Sequence, residues 1–152
     1  MTVEIRCEHP SGGAVVRRVR ARIGSMLAVL GRPEAGVSVL LTTDGRIRTL
    51  NRRWRKVDHA TDVLSFPADD PAGSGPYLGD LAVCLDVAAR RAPRGGRTLG
   101  EEVDRYVAHG LLHLLGHDHD RPGRAREMAR IEALLLGSDG MVAGARGKGS
   151  VR

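Results

Sequence analysis

Aromatic residues are scarce in this chain: one Trp, one Phe and two Tyr among 152 residues. Trp54, Phe66, Tyr77 and Tyr106 supply too few rings for a dedicated base-stacking platform. Cysteine is nearly as rare. Cys7 and Cys84 have no metal-type spacing, which excludes a cysteine-rich metal centre and a disulfide framework. Both are expected to be reduced thiols at buried strand positions in a cytosolic protein. Lysine is almost missing, since 22 of the 24 basic residues are Arg, a bias that composition alone can produce. No apolar run approaches the roughly 20 residues of a membrane span. Glu4 and Arg6 interrupt any apolar leader after Met1, so the expected location is the cytoplasm.

What is present reads as an ordinary globular domain, 41% hydrophobic and 28% charged. Its net charge of +6 is unevenly spread. Residues 1–56 carry 12 Arg/Lys against 4 Asp/Glu, residues 57–136 carry 9 against 13, and residues 137–152 carry 3 against 1. A basic first third suits a polyanionic partner, although a solvated arginine surface has the same composition.

Apolar periodicity outlines the elements. Val3–Cys7 reads as a strand and Ala14–Leu30 as a helix, with Val15, Val19, Ile23, Met26 and Leu27 on one stripe. Arg17, Arg18, Arg20 and Arg22 are expected largely off that stripe, on a solvated face. Val37–Leu41 is a second strand. A short helix follows the Asp44-Gly45 turn signal, with Ile47, Leu50 and Trp54 toward the core. Asp62–Phe66 and Leu81–Leu85 are further strands, separated by a Gly/Pro-rich loop at Ala68–Tyr77, and a short helix runs from Asp86 to near Pro93. Thr98 and Glu101 form a capping box for a helix reaching Leu115, where Gly116 closes it. A last helix spans Arg124–Leu136. The expected fold is therefore α+β: one mixed, mostly parallel sheet of about four strands packed with helices, with a metal site at the end of a core helix. Residues 1–136 form a single domain, and the glycine-rich basic segment 137–152 is expected to be a disordered tail.

Four of the six histidines fall within His109–Asp120, HGLLHLLGHDHD. Two histidines four apart on a helix are offset by only about 40°, so both imidazoles can reach one ion. Gly116 turns the chain so that His119 approaches from beyond the helix end. Three histidines without a nearby cysteine suit an open zinc site with water in the fourth position. His117 is expected to be exposed or to act behind the ligands, while Asp118 and Asp120 suit either an orienting role or simple solvation. The His-x-x-x-His-x-x-Gly-x-x-His frame is similar to that of metzincin proteases, yet Gly110 stands where they carry a general-base glutamate. A zinc-bound water has a pKa near 7 without that base. Amide hydrolysis still needs a proton relay to the leaving nitrogen, whereas phosphodiester cleavage is served by a metal and arginine. Three imidazoles would also accept nickel or copper.

Arg52, Arg53 and Arg55, in the run LNRRWRKVDHATDVLSFPAD, are the candidate phosphate binders. Here the chain resembles the YbeY-type endoribonucleases, a family of ribosomal RNA maturation factors. The resemblance rests on Asn51, Trp54-Arg55, Asp58 through Pro67, Leu78-Gly79-Asp80 and His109 through His119, with His117 in place of the usual tyrosine. It implies a zinc-dependent, single-strand-specific endoribonuclease that matures the 3′ end of 16S ribosomal RNA and acts in ribosome quality control. It also implies one zinc ion per chain on His109, His113 and His119, catalytic roles for Arg55 and His113, and the small ribosomal subunit and ribosome-associated proteins as partners. Two other readings compete. One is a zinc-stabilised, non-catalytic ribosome assembly factor; the other is a metalloprotease-like hydrolase.

Overall fold

A computed structural model describes residues 1–69, 76–118 and 120–143, the side chains of 138–143 excepted. The element order is β1 (Thr2–Cys7), α1 (Gly13–Val29), β2 (Gly36–Thr42), α2 (Asp44–Arg55), β3 (Val63–Pro67), β4 (Tyr77–Cys84), α3 (Leu85–Arg91), a 3-10 turn at Pro93–Gly95, α4 (Leu99–Leu114) and α5 (Pro122–Ala143). The strands form one sheet in the order β1-β2-β4-β3. β1 and β2 are parallel, as are β2 and β4, while β3 runs antiparallel to β4 at the edge. Parallel neighbours need a crossover, which α1 supplies between the first pair. This is the mixed, mostly parallel α+β architecture that the periodicity implied. Among the described residues no helix is long and apolar enough to cross a membrane.

One face of the sheet carries Val37, Val39, Leu81 and Val83, all at most 2% exposed, and packs beneath α1 and α4, with α5 against both helices. The apolar stripe of α1 is buried through Val19, Ile23, Met26 and Leu27. The opposite face is covered only in part, by α2.

Four local expectations change. Trp54 is 56% exposed rather than core-facing. The buried residues of α2 are Ile47 and Asn51, and Trp54 in its last turn meets the edge of Phe66, ring centroids 6.4 Å apart. Cys84 is buried, but Cys7 lies exposed at the end of its strand. Arg22 is 5% exposed. It follows Val19 by three residues and precedes Met26 by four, which places it on the apolar stripe. There it donates to Asp104 in α4 (3.2 Å) and to the Leu136 carbonyl in α5 (3.2 Å), tying three helices together. Finally, α5 continues past its expected end at Leu136 to Ala143, and residues 144–152 of the expected tail lie outside the described part.

Much of the basic excess of the first third is engaged internally. Arg18 joins Arg22 on Asp104, Arg20 donates to the Val3 carbonyl, and Arg48 and Arg52 pair with Asp58.

Candidate active site

The capping box forms as its sequence suggests. The Thr98 hydroxyl accepts from the Glu101 N–H (3.1 Å), and the Glu101 carboxylate accepts from the Thr98 N–H (2.8 Å). At the other end, Gly116 adopts φ 92°. Its N–H donates to the His113 carbonyl and that of His117 to Leu112, closing the helix in a Schellman motif. The role of His117 in this closure is made by its backbone and does not depend on its side chain. His117 is half-buried, not exposed.

Between these caps α4 presents His109 and His113 together. Their Nε2 atoms lie 3.0 Å apart, with ring centroids separated by 4.6 Å. Zinc bonds of about 2.0–2.1 Å at tetrahedral angles set two ligand nitrogens about 3.3 Å apart, so the pair fits one shared ion. The Nδ1 of His109 lies 2.7 Å from a Glu132 carboxylate oxygen on α5. With Nδ1 protonated and donating to Glu132, Nε2 is left with its lone pair, as a ligand requires. Asp120, for which the sequence allowed an orienting or a solvated role, is exposed and lies 3.6 Å from Arg124. Glu132 was the missed residue, and its signal was faint: an acid four residues after the buried Met128, on the inner face of α5. His119 lies outside the described residues.

Gly110 faces the sheet. A Cβ there would stand 2.7 Å from Leu81 Cδ2 and 3.3 Å from both Ser65 Oγ and Val63 Cγ2. The missing protease base is therefore matched by packing: α4 approaches β3 and β4 so closely that any side chain at this position would force its neighbours to shift. The Ser65 hydroxyl donates to the Gly110 carbonyl (3.2 Å) and locks that approach. Gly79 meets a similar demand in β4, against the edge strand. At φ 138°, its Cβ would fall 2.3 Å from the Phe66 carbonyl oxygen.

The edge strand β3 also holds Arg55, which comes from the end of α2. Its guanidinium donates to the Ser65 carbonyl and lies 5.1 Å from the Phe66 ring centroid. The turn that follows is held by Asn51, which is 4% exposed and donates to the His59 carbonyl at 2.9 Å. Asp62 caps β3 by accepting from the Val63 N–H (2.7 Å) and reaches Arg91 with its other oxygen (3.1 Å). Arg55, Asp62, Ser65, His109 and His113 line one cavity of about 450 Å³. Of the three candidate arginines, Arg52 is paired with Asp58 and Arg53 lies over Trp54. Only Arg55 lines the cavity with the histidines. The arrangement can bind an anion between a guanidinium and a cation held by imidazole.

A second group of potential metal ligands lies where the parallel strands end. Asp44, Cys84 and Asp86 each bring one ligand atom within 4.8 Å of the others. Arg90 already bonds both oxygens of Asp44 (2.7 and 3.0 Å) and holds its carboxyl below the usual range. Asp86 is likewise held low, first by the Asp44 N–H and then by His9. Burial pushes the Cys84 thiol up to about 11, so it stays protonated at neutral pH. A cation here would have to displace Arg90 and deprotonate that thiol, which makes the histidine pair the better-prepared site.

With this geometry in place, the comparisons with known proteins are specific. A family model described as "Endoribonuclease YbeY" matches residues 13–138. The chain belongs to the YbeY endoribonuclease family. "Endoribonuclease YbeY" of Anaeromyxobacter dehalogenans is 56% identical over 149 residues, covering 98% of this chain and 77% of the relative. The protein of the same name from Thermus thermophilus is 44% identical over 138 residues, covering 90% of this chain and 99% of its own. The solution structure of a target protein from Thermotoga maritima superposes with a TM-score of 0.66 at 23% identity, covering 97% of this chain and all of that one, and supports the fold. Membership supports an endoribonuclease role, and hence RNA as substrate.

Proposed function

We propose that this chain is a zinc-dependent, single-strand-specific endoribonuclease of the cytoplasm. In this reading it matures the 3′ end of 16S ribosomal RNA and acts in ribosome quality control, with the small subunit and ribosome-associated proteins as partners. The observation that carries the proposal is the convergence of the His109 and His113 Nε2 atoms in the same cavity as Arg55.

One zinc ion would be held by His109, His113 and His119, and when bound it supplies Lewis acidity toward a phosphoryl oxygen and toward water. The protein's own groups do the rest. Glu132 holds the His109 ring in the ligating tautomer and orientation. The Ser65 carbonyl and the Phe66 ring hold the Arg55 guanidinium in place, leaving its other N–H groups for the phosphate. Gly110 lets α4 sit close enough to β3 for Arg55 and the imidazoles to share one cavity. With no carboxylate at position 110 to relay a proton to a leaving amine, the site suits phosphodiesters better than peptides.

The test is RNA cleavage by the parent, Arg55→Ala and His113→Ala proteins, each verified as folded, with and without added zinc. Cleavage that needs both residues and the metal is expected. Equal trace activity in all three would sink the proposal and favour a zinc-braced assembly factor. Full cleavage by metal-stripped protein would remove the metal from the reaction.

A further inference from the structure

We propose that the arginine-lined cavity on the far side of His109 from Arg55 is a binding subsite for the phosphodiester backbone of the single strand flanking the scissile bond. This rests on the endoribonuclease reading above and assigns that site its substrate path. The cavity, about 540 Å³, is lined by Arg91, Arg94, Arg97 and Arg105 and reaches Asp62, His109 and Glu132. Asp62 and His109 also line the cavity that holds Arg55, so the two cavities adjoin at these residues. A strand lying in this trough with one phosphate at Arg55 and the imidazoles would carry its next nucleotides toward the four guanidiniums. The volume falls within the roughly 300–1,000 Å³ of small-molecule pockets, enough for a nucleotide-sized group.

The four arginines come from the end of α3, the 3-10 turn, the loop after it and the second turn of α4. Only a folded chain brings them to one concavity. Two of them are held in place. Glu102 is 1% exposed and accepts from Arg97 (2.6 Å) and from Arg105 (3.0 Å). Burial would raise its carboxyl, but the Arg97, Tyr106 and Arg105 side chains outweigh that and lower it. One carboxylate thus fixes two guanidiniums, which leaves a surplus positive charge whose orientation costs little entropy on binding. Arg91 is shared with Asp62 (3.1 Å). Arg94 is exposed on the short turn and makes no ion pair among the described residues, so it is the guanidinium most available to a phosphate. With aromatics so few, recognition here is electrostatic and independent of base identity.

The decisive variant is Arg94→Glu, because Arg97 and Arg105 also support a buried carboxylate. Binding of a labelled 2′-O-methyl oligonucleotide of about 12 nucleotides, which keeps the phosphates and removes the 2′-hydroxyl as a nucleophile, is followed by fluorescence anisotropy across a salt series with the zinc-loaded protein, the probe being checked for intactness after each titration. Arg94→Glu should weaken binding roughly threefold to tenfold at low salt and reduce the slope of log Kd against log salt by about one. Arg94→Lys should restore both. Arg130→Glu, the same charge change on an exposed part of α5, should behave like the parent. Parent-like binding by Arg94→Glu, in a protein that still cleaves RNA, overturns the subsite alone, as does an equal loss in Arg130→Glu. A parent protein that neither binds nor cleaves single strands overturns the underlying reading and the subsite with it.

Discussion

Replacing Gly110 with alanine sets two effects of known size against each other. In mid-helix, alanine is favoured over glycine by about 1 kcal/mol. Against this, the new Cβ would stand 2.7 Å from Leu81 Cδ2 and 3.3 Å from two atoms of β3. Carbon pairs prefer about 3.5–4.0 Å, so the Leu81 methyl must retreat by about 1 Å. Leu81 is 1% exposed, and Ser65 is bonded to the Gly110 carbonyl, so neither side of the contact can give cheaply. Overpacking of this kind costs about 1–3 kcal/mol. The net expectation is a destabilisation of up to about 2 kcal/mol, measured by urea unfolding of metal-free protein so that zinc affinity does not enter. A double-mutant cycle with Leu81→Ala isolates the contact. Leu81→Ala alone should cost about 2–5 kcal/mol, and the pair should be less destabilised than the sum by about 1 kcal/mol or more, because the added methyl occupies vacated space. Stabilisation of Gly110→Ala by the full helix-propensity gain, with strict additivity in the cycle, would refute the view that packing dictates this glycine. Installing a protease-like base by Gly110→Glu should cost more still, since a carboxylate would enter the same space without a partner.

Asp104→Ala should destabilise by about 3 kcal/mol, because it removes the buried carboxylate to which the Arg22 guanidinium donates; a loss under about 1 kcal/mol in thermal or urea unfolding would argue against that ion pair. Glu102 is held below its ordinary value of 4.5, so its stabilisation is complete above that pH and disappears as pH falls through the lower folded value. The parent should therefore lose more unfolding free energy than Glu102→Gln between about pH 5 and pH 3, and parallel profiles would contradict the assignment. Glu132→Gln should weaken zinc binding about 10- to 100-fold by competition titration while leaving metal-free stability nearly unchanged, and an unaltered affinity would remove Glu132 from its orienting role.

The local chemistry of this chain was written in its sequence. Thr98 and Glu101 specify a helix start, Gly116 specifies its end, and a four-residue spacing puts His109 and His113 on one face whatever surrounds them, because each depends on bonds within a few residues. The alternating and helical apolar patterns likewise dictated four strands, most of them parallel. What needed the tertiary structure were the relations between distant segments. Glu132 becomes the partner of His109 only once α5 crosses α4. Arg22, which looked solvated, is buried because Asp104 arrives opposite it. Trp54 has the spacing of a core residue but stays 56% exposed, meeting the edge of Phe66 rather than the core. Gly110, legible at first as an absent base, is fixed by the distance from α4 to Leu81 and Ser65. Sequence periodicity states which face of an element is apolar. Which charges and backbones meet that face depends on how elements far apart in the chain are brought together, and that information resides in packing.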